Sequence, residues 1–228
     1  MATVEKRIET LEKEARVGKK ESAADLEILR QAKGHLDAGQ PLRSLALDEA
    51  GRSALAPVFP VSLKPVVYVA NVSEDLLPSG GEFGDRVRKL GATDGAAVVV
   101  LNAALESELA ELDAAEATEY RSSYGLTVDG AQAVAAAVWA AAGLITFFTA
   151  GEPEVRAWPV VAQASAPVAA GRIHSDFEKH FIRAEVTSVA NLLEAGSMEA
   201  LRSAGRLRVE GREYLVQDGD VVFFRIGK

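Results

Sequence analysis

Two short apolar runs, roughly thirty residues apart, constrain this chain more than anything else in it. The first is Val66-Val67-Tyr68-Val69-Ala70, which follows Lys64-Pro65 and runs into Asn71-Val72-Ser73-Glu74. The second, Ala96-Ala97-Val98-Val99-Val100-Leu101, runs into Asn102-Ala103-Ala104-Leu105-Glu106. Continuous β-branched and apolar residues are how strands buried on both faces of a parallel sheet read. Between the runs, Pro78-Ser79-Gly80-Gly81 makes a loop and Glu82 to Leu90 has a helical pattern. Strand, helix, strand is a βαβ unit with parallel strands, so both polar tips fall on one edge of the sheet. Ligands of open α/β sheets bind at that edge. Asn71 brings a donor and an acceptor there and Glu74 a charge, a set suited to reading the edge of a purine base.

A sheet of two parallel strands is expected to need more strands, because parallel sheets are covered on both faces and are usually larger. The α/β part therefore reads as half a domain. Helices follow it at Glu106 to Leu112, Asp113 to Tyr124 and Gln132 to Ala142. Asp113-Ala114-Ala115-Glu116 has the form of a capping box. In the third helix Val134, Val138 and Trp139 are expected to pack onto the sheet.

Ahead of this unit lie two amphipathic helices. Val4, Ile8, Leu11 and Ala15 recur at steps of four, three and four, with charged residues on the other faces and a stop at Gly18. After Lys20 the second helix carries Leu26, Ile28, Leu29, Ala32 and Leu36 before Gly39-Gln40-Pro41 ends it. The short connection makes a helical hairpin with coiled-coil character. The first helix lacks an N-cap and a leading turn, so the chain is expected to be entered partway along a helix. Residues 41–64 read as a connecting segment. Beyond Gly143 the pattern turns to strands: Leu144 to Thr149, Glu154 to Val160 in period two, Phe181 to Val186, a hairpin-like pair at Leu207 to Glu210 and Tyr214 to Val216, and Val221 to Arg225. With one or two short helices, one of them at Val189 to Glu194, this part reads as a compact α+β domain.

Composition excludes several functions. The chain holds 228 residues and no cysteine, so disulfides, thiolate metal sites and cysteine nucleophiles are out; three scattered histidines make no metal set. A net charge of -8 argues against a surface that grips DNA throughout. From Leu144 on, eleven acidic residues stand against ten basic ones, which is not the balance of a nucleic-acid domain. The amino terminus is too charged for a signal peptide and no apolar run spans a membrane, so the expected location is the cytoplasm. His174 and Asp176 are expected to make a turn hydrogen bond, and Trp158, Phe177, Phe223 and Phe224 to be core aromatics.

Several longer segments carry a family resemblance. Phe147-Phe148-Thr149-Ala150-Gly151, Glu154-Val155-Arg156-Ala157-Trp158, Gly171 to Lys179 and Val216-Gln217-Asp218-Gly219-Asp220-Val221 closely resemble the carboxyl-terminal TGS region of the YchF type of Obg-like ATPases. Thr3 to Ile8, Tyr68 to Glu74 and Glu108 to Leu112 match that family in the same order. The resemblance covers essentially the whole chain. It implies an α/β plus α+β architecture: a helical coiled-coil arm at 1–40, inserted into a partial P-loop GTPase-like α/β domain whose carboxyl-terminal half is 41–143, and a ubiquitin-like β-grasp TGS domain at 144–228. It implies further that Asn71, Val72 and Glu74 form the base-recognition loop. Most GTPases have aspartate where Glu74 stands, and that carboxylate accepts from the guanine N1 and N2 hydrogens. Adenine offers no such pair, so the resemblance implies ATP preferred over GTP. Asn102, Ala103 and Ala104 are expected to give backbone contacts to the base. Ala104 departs from the family's usual lysine and removes a stem that would cover the base.

No segment reads Gly-x-x-x-x-Gly-Lys-Ser/Thr. Mg²⁺ and the phosphates are therefore expected to be held only with a P-loop half from upstream, no residue of this chain is expected to be catalytic, and the chain alone is expected not to hydrolyse ATP. The partners the resemblance implies are the ribosome or ribosomal RNA and that amino-terminal half. Arg172, Lys179 and Arg183 are the expected face for RNA or a protein partner. The alternative reading is a free-standing, non-enzymatic TGS binding module.

Overall fold

The computed structural model describes residues 2–16, 20–151 and 154–227. The chain forms two compact units, Met1–Leu126 and Thr127–Lys228. The helix stop expected at Gly18, and Glu152 and Pro153 of the expected turn, lie outside the described residues.

The first unit opens with helices α1 (Ala2–Arg16) and α2 (Lys20–Asp37). They run antiparallel, as the ion pairs Glu12 to Arg30 at 2.8 Å and Glu5 to Lys33 at 3.4 Å require. Val4 and Leu11 meet Leu26, Leu29 and Ala32 along the seam. That seam does not stop at residue 40. Leu42, Leu55 and Val58 join the same core, Leu42 and Leu55 with no exposure at all. Residues 41–64 are thus a packed layer, with helix α3 (Glu49–Leu55) capped by Asp48, whose carboxylate accepts from the Gly51 N–H. By sequence alone this stretch reads as a connection, because its Leu, Ser, Ala and Pro residues follow no helical period. What orders it is the apolar foot of the hairpin.

Strand β1 (Val67–Asn71), helix α4 (Gly81–Asp94) and strand β2 (Ala97–Leu101) form the expected βαβ unit, with β1 and β2 parallel and in register from Val67 opposite Ala97 to Asn71 opposite Leu101. Among the described residues this sheet has two strands. Helix α4 lies close on β2 because Gly91 has no side chain: a Cβ there would come within 2.5 Å of Val98 Cγ2. Asp94, at the end of α4, accepts from Arg43 at 2.8 Å and from the Tyr68 hydroxyl at 2.6 Å, tying segment, helix and strand together. Strand β1 is less buried than its all-apolar sequence predicts, Val69 being 45% exposed. One covering helix on a two-stranded sheet leaves that much open. Helices α5 (Ala103–Leu109) and α6 (Ala114–Ser123) complete the unit. Asp113 caps α6, accepting from the Ala115 and Glu116 N–H groups.

The second unit begins with helix α7 (Gly130–Ala141), followed by strands β3 (Leu144–Ala150) and β4 (Val155–Val161), helices α8 (Ala166–Ile173) and α9 (Ser175–Lys179), strand β5 (Phe181–Ser188), helices α10 (Val189–Ala195) and α11 (Met198–Ser203), and strands β6 (Arg208–Glu210) and β7 (Asp220–Ile226). The sheet order is β4-β3-β7-β5-β6, with β3 and β7 parallel at its centre and the other pairings antiparallel. Phe147, Val160, Ala184, Val186, Val222 and Phe224 point to one face and bury Ala166, Ala169 and Ala170 of α8. Helix α7 packs on β3. Its Val138 and Trp139 remain 48% and 39% exposed, and Trp139 lines a cleft of about 650 Å³ together with Ile145, Phe148 and Asp218.

Two expectations for this unit need correction. Four short helices, not one or two, lie among its strands from Leu144 on. Tyr214 to Val216 is no hairpin partner of β6; β6 pairs with β5, and Leu215 makes an isolated bridge to Ser165. The cause is a buried carboxylate: Asp220 accepts from the Tyr214 hydroxyl at 2.6 Å and from the Gln217 N–H at 2.9 Å, drawing that segment toward β7. Burial and the same hydrogen bond push the Tyr214 hydroxyl up to about 12.

On the opposite face of the sheet Glu185 is almost fully buried and accepts from Arg202 at 2.7 Å and Arg225 at 3.1 Å. These bonds, Arg202 first, hold its carboxyl below the ordinary 4.5. A carboxyl depressed on folding contributes stability that is complete above the ordinary value and is lost as pH falls through the depressed one. Glu185→Gln should therefore be less stable than the parent at neutral pH by about 1–3 kcal/mol. The gap should close as pH is lowered through the acid range, in urea unfolding followed by fluorescence of Trp139 and Trp158, both of which lie in this unit.

Candidate functional site

The parallel register of β1 and β2 brings their carboxyl ends level, and the residues just past those ends bind each other. Val72 donates its N–H to the Leu101 carbonyl at 2.9 Å, carrying the ladder one residue past the strand. From there side chains take over. Asn71 Oδ1 accepts from the Ala103 N–H at 3.0 Å, and Asn102 Nδ2 donates to the Val72 carbonyl at 2.6 Å. Each asparagine thus reaches across to the backbone of the other loop. Asn102 has a second task, since its Oδ1 accepts from the Leu105 N–H at 2.7 Å and caps α5. Asparagine fits both positions because one side chain offers a donor and an acceptor on a planar group.

This cap moves the start of α5 forward. Ala103 and Ala104 are its first helical residues, where the sequence pattern predicts a polar loop and a helix beginning only at Glu106. The Ala103 N–H is already engaged by Asn71, so of the residues expected to offer backbone contacts Ala103 has no free donor. Asn71 and Glu74 are exposed and Val72 is buried. The carbonyl oxygen of the Asn71 side chain faces Ala103, which leaves its amide N–H groups as the donors on that tip.

Glu74 opens a short turn, Glu74–Leu76, and its side chain is not free. The Tyr124 hydroxyl donates to Oε2 at 2.8 Å, and this bond is the first cause of an upward shift of the tyrosine hydroxyl. Tyr124 is the C-cap of α6, and its ring packs on the small core of Leu105, Leu109 and Ala117 under α5 and α6. Beneath it, Arg121 and Glu106 pair at 3.0 Å with both side chains largely covered, joining α6 to α5. The tip of β1 is therefore fixed from two directions, by α5 through the asparagines and by α6 through the tyrosine. Tyr124 escapes a sequence reading because fifty residues separate it from Glu74 and no motif links them.

The three basic residues singled out in the second unit do not converge. Arg172 lies on α8 and its Nε donates to the Pro159 carbonyl at 3.0 Å; Lys179 lies on α9 and is 3.9 Å from Asp176. Arg183 stands opposite Arg225 on β5, which by strand alternation puts it with Glu185 on the face away from α8. Arg225 stacks on the exposed Phe223 at 4.4 Å. His174 accepts from the Asp176 N–H through Nδ1 at 3.2 Å, a cap of α9. Trp158 and Phe177 pack on the core and Phe224 lies within it, whereas Phe223 is 40% exposed. Among the described residues no cluster of three or more His, Asp or Glu is placed to hold a metal ion, and no helix is long and apolar enough to cross a membrane.

Comparison with known proteins agrees along the chain. The family model YchF-GTPase_C, described as a protein of unknown function (DUF933), matches residues 144–227. The chain is 42% identical over 227 residues to the Ribosome-binding ATPase YchF of Bacillus subtilis (strain 168), covering 99% of this chain and 62% of that protein. To the protein of the same name from Escherichia coli O157:H7 it is 39% identical, covering 97% of this chain and 61% of that one. The solved structure of the Schizosaccharomyces pombe YchF GTPase superposes with a TM-score of 0.82 at 27% identity, over 98% of this chain and 61% of that one. The chain thus spans about three fifths of the length of the relatives it matches, and over that span it is similar to YchF proteins from end to end.

Proposed function

We propose that the tips of β1 and β2 are the base-reading side of a nucleotide site, and that the chain serves as the carboxyl-terminal portion of a YchF-type, ribosome-associated ATPase that prefers ATP over GTP. The observation that carries this is the pair of crossed bonds, Asn71 to Ala103 and Asn102 to Val72, which fix two loops side by side at the carboxyl edge of a parallel sheet. Asn71 then offers N–H donors toward the acceptor nitrogens of a purine, and adenine needs no paired acceptors from Glu74. In this reading 1–40 is the inserted arm, the carboxyl-terminal half of the nucleotide domain follows from 41 to the end of the first unit, and 144–228 is a TGS domain of β-grasp type with α7 packed on its β3. Its central parallel pair flanked by antiparallel strands, with α8 across one face, supports that last assignment.

Phosphoryl transfer depends on a phosphate cradle and a metal for positioning and charge. No residue here is assigned that task, and Mg²⁺ is assigned to the phosphate-binding half, so the chain alone binds without turning over. On addition of ATP to the isotope-labelled chain, amide signals of Asn71, Val72 and Ala103 should shift more than with GTP, with no phosphate released. Turnover by chain free of contaminating ATPases, or equal response to both nucleotides, would overturn the reading.

For the ribosome, the second unit is the proposed contact, with Arg183 beside Arg225 and the exposed Phe223 as a basic and aromatic face. The chain should co-sediment with ribosomes at low salt, and Arg183→Glu should weaken that association about tenfold or more, roughly one or two phosphate contacts' worth of charge. Unchanged co-sedimentation would remove this face from the contact.

A further inference from the structure

We propose that Tyr124 is a specificity-determining residue of the base site: by donating its hydroxyl proton to Glu74 Oε2, it sets the carboxylate's orientation and takes up part of the acceptor capacity that guanine would use. The proposal rests on the reading of the β1 and β2 tips as a base site, and it goes further by explaining discrimination through a residue outside both tips. Guanine presents N1–H and N2–H side by side, and a carboxylate meets them with two oxygens. In this chain one of those oxygens already accepts a hydrogen bond 2.8 Å long. That oxygen keeps a lone pair, so guanine would have to share it in the orientation the tyrosine sets, or displace the hydroxyl, and either weakens the pairing of its N–H groups. Adenine has an acceptor at N1 and no amino group at C2, so it loses nothing when the carboxylate is engaged.

The tyrosine is well placed to hold its ground. Its backbone N–H binds the Arg121 and Ser122 carbonyls at the end of α6. Its ring joins the core of Leu105, Leu109 and Ala117, and Tyr120 lies 6.5 Å away, centroid to centroid. The next residue, Gly125, takes φ +70 and lies beside Pro78, where a Cβ would stand in ordinary contact, 3.5 Å from Pro78 Cγ. The loop after β1 and the end of α6 are thus packed together on either side of the Glu74 to Tyr124 bond. The hydrogen bond to the carboxylate also raises the titration of the hydroxyl. The longer reach of glutamate relative to aspartate has a use here: it lets the carboxylate turn to the tyrosine while the backbone stays within the clasp of Asn71 and Asn102.

The test uses adenosine and guanosine 5′-monophosphates added separately to the isotope-labelled full chain, with affinities taken from the amide signals of Asn71, Val72 and Ala103. The parent should favour the adenine nucleotide. Tyr124→Phe, which keeps the ring and its packing, should move the ratio of affinities toward guanine by about three- to tenfold, the scale of one hydrogen bond to a charged group. Tyr124→Leu should move it in the same direction, and Glu74→Gln should abolish the effect of either substitution. If the parent binds at these amides but both Tyr124 variants keep its ratio, the role of Tyr124 is overturned and the base site stands. If neither nucleotide moves these amides in any of the proteins, the base site itself is overturned, and the role of Tyr124 with it.

Discussion

Two hydrogen bonds between asparagine side chains and the backbone of the neighbouring loop organise the first unit. Asn71 and Asn102 occupy equivalent places after two parallel strands, and each holds the other's loop. Without the in-register pairing of Val67–Asn71 with Ala97–Leu101 the two could not meet, and that pairing depends in turn on α4 approaching β2 across Gly91. From the clasp outward the rest follows. Asn102 starts α5, α5 carries Leu105 and Leu109, and these receive α6 and the ring of Tyr124, which returns to Glu74. The chain thus closes a ring of contacts around a site whose own residues are few.

Fixing the loops in this way matters for recognition. A base is read by one or two hydrogen bonds, and each contributes selectivity only when the protein group cannot swing away or find an equal partner in water. Asn71 has its carbonyl oxygen committed, so its orientation is set and its donors are presented in one direction. Glu74 has one oxygen engaged, so its charge is present while its orientation is set and part of its acceptor capacity is taken up. The second unit uses the same economy: Glu185 and Asp220, both buried, each collect several donors and hold β5, β6, β7 and α11 in register.

Much of this was legible in the residues. The βαβ unit could be read because apolar runs of five or six residues, separated by a glycine-rich loop and a helical stretch, have few other solutions. The helical seam was visible in the spacing of Val4, Leu11, Leu26 and Leu29. What stayed hidden depends on contacts without a period. Leu42 and Leu55 are buried by the foot of the hairpin and not by any pattern of their own. The start of α5 at Ala103 follows from what Asn102 does with its oxygen, and an Asn-Ala-Ala stretch reads as loop until that is known. Tyr214 to Val216 looked like a strand because its residues favour one, and the buried Asp220 redirected it. Basic residues such as Arg172 and Arg183 cannot be assigned to one face from sequence when they stand on a helix and a strand that bury opposite sides of a sheet.

The central claim is that the two asparagines act as one device. A double-mutant cycle of Asn71→Ala and Asn102→Ala, with stability measured by urea unfolding followed by circular dichroism, tests it most directly. If each bond orders the loop that the other needs, the double variant should lose less than the two single losses together, with a coupling of about 0.5–3 kcal/mol, as for residues sharing one network. Losses that add to within about 0.5 kcal/mol, as for independent sites, would contradict the account and leave two unrelated loop contacts at the edge of the sheet.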